Sequence, residues 1–219
     1  MIVQHRTTVT GWMAVLTLAV ASSVAGASSP RPSGNDARHR TGEVVRDWND
    51  IARSQPFGNP LRLARILAVM HAAQHDAVNG AQPRYQTYVS TLHDLGADAE
   101  AAAAAAAHEV LVAFFPANHL TLDDRLAESL STVPDGHAED AGVVLGSAVA
   151  DLILDARADD GYSTVDPFNP TPGPGVWEPT PPAFAPMLEA QFHNVTPFTL
   201  RDRAQFLPDP PPPLTSERY

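Results

Sequence analysis

The chain has 219 residues, 44% of them apolar, with 25 acidic side chains against 14 basic ones and a formal net charge of −11. It has no cysteine, which excludes a disulfide scaffold and thiolate-ligated metals. Its acidity argues against nucleic acid or an anionic membrane as a partner.

The N-terminus reads as a secretory signal peptide over residues 1–27. Arg6 supplies a weak positive start, Trp12 to Val24 is uncharged and apolar, and Ala25-Gly26-Ala27 is a small-x-small cleavage site. The run is short for a membrane span, so an uncleaved anchor is the lesser reading. With Arg6 standing alone, a twin-arginine signal is not supported. The expectation is a secreted, extracytoplasmic protein with no membrane contact after cleavage.

Residues 28–40, rich in Ser, Pro, Gly and charge, are expected to form a flexible leader. A first helix is predicted from Thr41 to Ser54, with Val44, Val45, Trp48, Ile51 and Ala52 on one face. The second opens on Asn59 as N-cap with Pro60 behind it and runs to Gly80 as a C-terminal stop. Apolar side chains occupy most of its circumference, which predicts the centre of a bundle. The third starts near Asp98, carries seven alanines from Ala101 to Ala107, and stops at Pro116. Thr121 and Asp124 resemble a capping box for a short helix to Ser131. A fifth spans His137 to Ala158, with Gly142, Gly146 and Ala150 as a stripe for tight packing.

From Tyr162 the chain is dense in proline and regular structure is expected to be sparse. Phe168, Trp177, Phe184 and Phe192 are expected to anchor this arm on the bundle. The fold class is all-α: a helical bundle half over 41–161 with a proline-rich arm over 162–219.

Chemistry-bearing residues are few. His71, His75 and Asn79 recur every four residues as a polar stripe on an apolar helix. Two histidines at that spacing can hold one metal ion from a single face. The glutamate of a zinc-protease motif is missing between them, and a third ligand would have to come from His108, Glu109 or Asp76. The competing reading makes them buried polar groups that tie helices together. The reading adopted assigns no metal, with His71 and His75 as the candidates. Asp159-Asp160-Gly161 lacks the alternating ligands of an EF-hand and reads as a helix stop. No P-loop, dinucleotide fingerprint or Gly-x-Ser-x-Gly is present.

An ordered series of blocks carries a resemblance. It comprises Trp48-Asn49, Arg65 to Met70 with His71 and Ala73, Asp76 to Asn79, Tyr85, Glu100 to His108, Val110-Leu111 and Phe115-Pro116. Gly146, Val149, Ala150, Arg157, Asp160 and Gly161 follow. The arm adds Pro174 to Pro182, Val195 to Phe198, Phe206, Pro208, Pro211, Pro212, Leu214 and Tyr219. In this order they resemble the N-terminal half of secreted proteins related to vanadium-dependent haloperoxidases and the type 2 phosphatidic acid phosphatase superfamily.

The resemblance implies a helical bundle holding vanadate, or phosphate in the phosphatase relatives, with peroxide oxidising halide at the bound vanadate. Such an oxyanion needs converging cationic donors and an apical histidine. The family supplies them from a Lys…Arg-Pro block, a Ser-Gly-His block and an Arg…His block. None is found here, and the absence of lysine settles the first. No catalytic or cofactor-binding residue is therefore carried over. The expectation is a scaffold portion, inactive alone and ending before the catalytic half, with that half or a second copy of the chain as partner. A large apolar face on the second and fifth helices is expected to be left uncovered. A phosphatase relative and a stand-alone helical binding module are the alternatives.

Overall fold

The computed structural model describes residues 34–165 and 167–218, with side chains from Thr41 onward. The expected signal peptide and residues 28–33 of the leader lie outside the described residues. Five α-helices follow one another: α1 Gly34–Ser54, α2 Pro60–Ala81, α3 Ala99–Phe114, α4 His119–Leu130 and α5 His137–Ala158. The described residues contain no strand, and the fold is all-α.

The helix starts follow from local chemistry. Asn59 caps α2 by accepting from the Arg62 amide at 2.9 Å, with Pro60 in the first turn. Asp98 caps α3 by accepting from the Glu100 and Ala101 amides at 2.8 and 3.0 Å. α5 carries Glu139 and Asp140 in its first turn and Arg157 in its last, complementing its dipole.

The centre of the bundle is α3, which packs against α1, α2, α4 and α5. This corrects the expectation that α2 would be central. Ala101 to Ala107 are all buried, because methyl side chains let neighbours approach from every side. α2 instead leaves Leu61, Ala64 and His75 exposed.

The closest approach is to α5. A Cβ on Gly142 would meet the Asp98 carbonyl at 2.5 Å and the Ala101 methyl at 2.8 Å, and one on Gly146 would meet the Ala102 carbonyl. The small-residue stripe is therefore a backbone contact. Trp48, Ile66, Met70, Leu111, Leu122 and Ile153 fill the remaining interior, each contributing roughly 1.5–3 kcal/mol through burial.

Several element boundaries differ from expectation. α1 begins at Gly34, so residues 34–40 of the expected flexible leader are helical. No proline lies between Pro32 and Pro56, and nothing covalent obliges the helix to start later. Gly80 lies inside α2 and is not its stop; a Cβ there would sit 2.8 Å from the Leu92 carbonyl. Thr121 lies inside α4, which opens from a 3-10 turn at Pro116–Asn118 with no side-chain cap. Pro116 sets up that turn two residues beyond the end of α3.

The arm forms one compact unit with the bundle, but not through the anchors expected. Phe168 and Trp177 pack edge-to-face on each other at 5.8 Å, and Phe184 is 61% exposed. Phe192 packs edge-to-face at 5.7 Å on Tyr162, which is the first residue of the arm itself. The principal tether is Phe198, which stacks on Tyr88 and lies 3.9 Å from the Arg157 guanidinium carbon. The Thr196 amide also donates to the Asp160 carbonyl at 2.7 Å.

Candidate functional site

Two polar constellations stand out in an otherwise apolar bundle. The first is the histidine stripe of α2, which lines a groove of about 530 Å³ with Val45 of α1 and Arg84 and Tyr85 of the following loop. Asn79 fixes its geometry. Its Oδ1 accepts from the Arg84 and Tyr85 amides at 3.2 and 3.1 Å, which turns Nδ2 toward His75 Nε2 at 3.1 Å. That same nitrogen lies 3.0 Å from the Gln86 carbonyl. As a donor it serves the carbonyl, and as an acceptor it serves Asn79.

His71 is held on both sides, with Nδ1 2.9 Å from Gln74 Oε1 and Nε2 3.2 Å from Asn49 Oδ1 of α1. The two rings thus share a groove, each engaged by its own amide neighbours. His75 is exposed and adjoins the Tyr85 ring at 6.4 Å. An imidazole, a phenol and a guanidinium on an open, partly apolar groove suit hydrogen bonding to a small molecule.

The residues considered as a third ligand are placed elsewhere. Asp76 is fully buried and accepts from the Tyr88, Val89 and Ser90 amides at 2.6, 2.7 and 2.8 Å. His108 faces α4, with Nε2 2.7 Å from Asp123 Oδ1 and its ring edge-on to Trp48. Glu109 accepts from the Ser147 hydroxyl at 3.2 Å. Among the described residues, no group of three or more His, Asp or Glu side chains is arranged to hold a metal ion.

The second constellation was missed by sequence reading. Asp160 Oδ2 accepts from Arg65 Nε at 3.0 Å and from Arg157 Nε and Nη2 at 3.2 and 2.8 Å, while Oδ1 accepts from the Tyr162 amide at 3.0 Å. Burial by itself would raise the Asp160 pKa. The Arg65 and Tyr162 hydrogen bonds and the two guanidinium charges outweigh it, and the pKa lies below its ordinary value.

Two buried guanidiniums against one carboxylate leave an excess positive charge. Backbone carbonyls of Arg157, Thr196 and Pro197 and the faces of Phe114, Tyr162 and Phe198 receive it. Tyr162 has its pKa raised, first by burial and then by the charge and hydrogen bond of Glu189. It is a neutral phenol at neutral pH. The sequence signal available was Arg157 three residues before Asp160, read as a helix stop, and Gly161 does turn the chain there with φ +94°. Arg65 lies 95 residues away, and no local pattern pairs it with Asp160.

No family model, curated protein or solved structure matches the chain.

Proposed function

We propose that the chain is the scaffold portion of a secreted protein related to vanadium-dependent haloperoxidases, whose complete form oxidises halide with peroxide at a bound vanadate. In this reading the bundle walls the anion pocket, and the arm leads to the residues that hold the anion. The observation that carries it is the arm's apolar surface. Phe184, Phe206 and Leu207 are 61%, 75% and 76% exposed, as suits a segment that lies against a further folded body. On the bundle itself, Leu61 of α2 and Val144 and Leu152 of α5 are also exposed.

Of the blocks that carry the resemblance, those on the helices lie mainly in the interior, whereas Tyr85, Pro174 to Pro182, Phe206, Pro208, Pro211, Pro212 and Leu214 are exposed. Trp48, Ile66, Met70, Ala101 to Ala107, Val149 and Arg157 are buried, as scaffold positions should be. The described residues do not themselves fit vanadate. Arg65 and Arg157 are committed to Asp160 and to backbone carbonyls, and no histidine lines the cavity beside them. No step of halide oxidation is assigned to them.

The test is an assay of the purified chain for vanadate-dependent bromide oxidation and for phosphomonoester hydrolysis. The scaffold reading expects neither, and turnover of either substrate by this chain alone overturns it. Reading the coding DNA past codon 219 tests the other half, since the Lys…Arg-Pro, Ser-Gly-His and Arg…His blocks should appear there in some frame. The groove beside His75 favours one second reading, a self-sufficient secreted module that binds a small ligand. That module would be monodisperse and would not bind a hydrophobic dye.

A further inference from the structure

Behind the Arg65–Asp160–Arg157 cluster lies a cavity of about 290 Å³, bounded by α2, α3, α5 and the start of the arm. Its polar wall is cationic, with Arg62, Arg65 and Arg157 all contributing. Asp160 is engaged by Arg65, Arg157 and the Tyr162 amide, and it makes no ion pair with Arg62 among the described residues.

Arg62 is half-buried, and its guanidinium makes no hydrogen bond or ion pair among the described residues. It also stands in the first turn of α2, which contains no acidic residue. A cation there is opposed by the helix dipole and by its neighbouring arginine. The other carboxylate nearby, Glu189, is hydrogen-bonded by Asn59, Gln191 and Tyr162. The apolar part of the lining comprises Ile66 and Val69 of α2, Phe114 of α3 and Leu154 of α5.

We propose that this cavity binds a small organic carboxylate, with the carboxylate on Arg62 and an apolar body against Phe114 and Leu154. An anion neutralises the guanidinium that the fold leaves unpaired. The apolar lining selects an acid with a hydrocarbon or aromatic body over a bare inorganic anion. Arg65 and Arg157 act through their excess charge, without leaving Asp160. The site lies within this chain and needs no further polypeptide, so its outcome is separate from that of the scaffold reading.

The test is isothermal titration of the full purified chain with benzoate at constant ionic strength, beside benzyl alcohol and inorganic phosphate. Benzoate should bind saturably with one site, benzyl alcohol should not, and phosphate should bind more weakly. Arg62→Gln should weaken benzoate by about tenfold or more, the loss expected for one charge-assisted hydrogen bond, with an unchanged circular dichroism spectrum. Arg62→Lys should restore part of the affinity. Amide shifts in nitrogen–proton correlation spectra should centre on Arg62, Phe114 and Tyr162. Absence of saturable benzoate binding, equal binding by Arg62→Gln, or phosphate binding as tight as benzoate would each overturn the proposal.

Discussion

Arg65 Nε donates to Asp160 Oδ2 at 3.0 Å across 95 positions of sequence, joining α2 to the turn that follows α5. Both side chains are almost wholly buried, at 8% and 1% exposure. Removing the carboxylate charge leaves two guanidiniums in the interior with no counter-ion. Asp160→Asn should therefore cost about 3–5 kcal/mol, read as a lowered urea midpoint at neutral pH.

The pH dependence of that contact has a definite sign. The Asp160 pKa is depressed in the folded state, so its stabilising contribution is complete above the ordinary carboxyl pKa, about 4. It is lost as pH falls below that value through the lowered folded pKa. The wild-type urea midpoint should drop across this acid range, and Asp160→Asn should show a shallower drop. Equal acid slopes in the two proteins would contradict the assignment.

Gly142 and Gly146 place the backbone of α5 directly on that of α3. Replacing an exposed helix glycine by alanine normally gains about 0.5–1 kcal/mol. At Gly146 the added methyl meets the Ala102 carbonyl, and Gly146→Ala should instead lose about 1–3 kcal/mol through overpacking. Gly42→Ala on α1 is the control, since its Cβ would meet nothing closer than Arg46 Nη1 at 3.7 Å. The two variants should shift the urea midpoint in opposite directions.

Asp76 organises the segment between α2 and α3, where it accepts three consecutive backbone amides. Asp76→Ala strands those amides against a buried wall and should cost about 3 kcal/mol or more. Hydrogen exchange separates this local role from general destabilisation. The Tyr88, Val89 and Ser90 amides should lose protection well beyond those of Val149 and Ile153 in α5.

The sequence made α2, α3 and α5 legible because their signals are local. A cap at Asn59 or Asp98, a proline at 60 or 116 and a run of alanines act within a few residues of where they stand. The central position of α3 was hidden, because the large apolar side chains are concentrated on α2 whereas close packing favoured the helix with the smallest side chains. The arm misled for a related reason. Aromatic residues announce a capacity for burial without naming the surface, and Phe168 with Trp177 satisfied each other. In the groove, the His71, His75 and Asn79 stripe was visible as spacing. Its fixation by the Arg84 and Tyr85 amides, and the Arg65–Asp160–Arg157 cluster, depend on tertiary contacts that no period encodes.

Phe198 and Phe206 are eight positions apart and should behave oppositely. Phe198 lies between the Tyr88 ring and the Arg157 guanidinium, so Phe198→Ala removes the principal apolar tether of the arm. That should cost about 2–3 kcal/mol, somewhat under a full core aromatic, and should speed proteolysis near Val195 to Leu200. Phe206 and Leu207 contribute to no buried core, and their joint replacement by serine should change stability by about 0.5 kcal/mol or less. The same double variant should markedly reduce hydrophobic-dye fluorescence and self-association. If dye binding persists unchanged after that replacement, the exposed surface responsible lies elsewhere, with Val144 and Leu152 of α5 as the next residues to substitute.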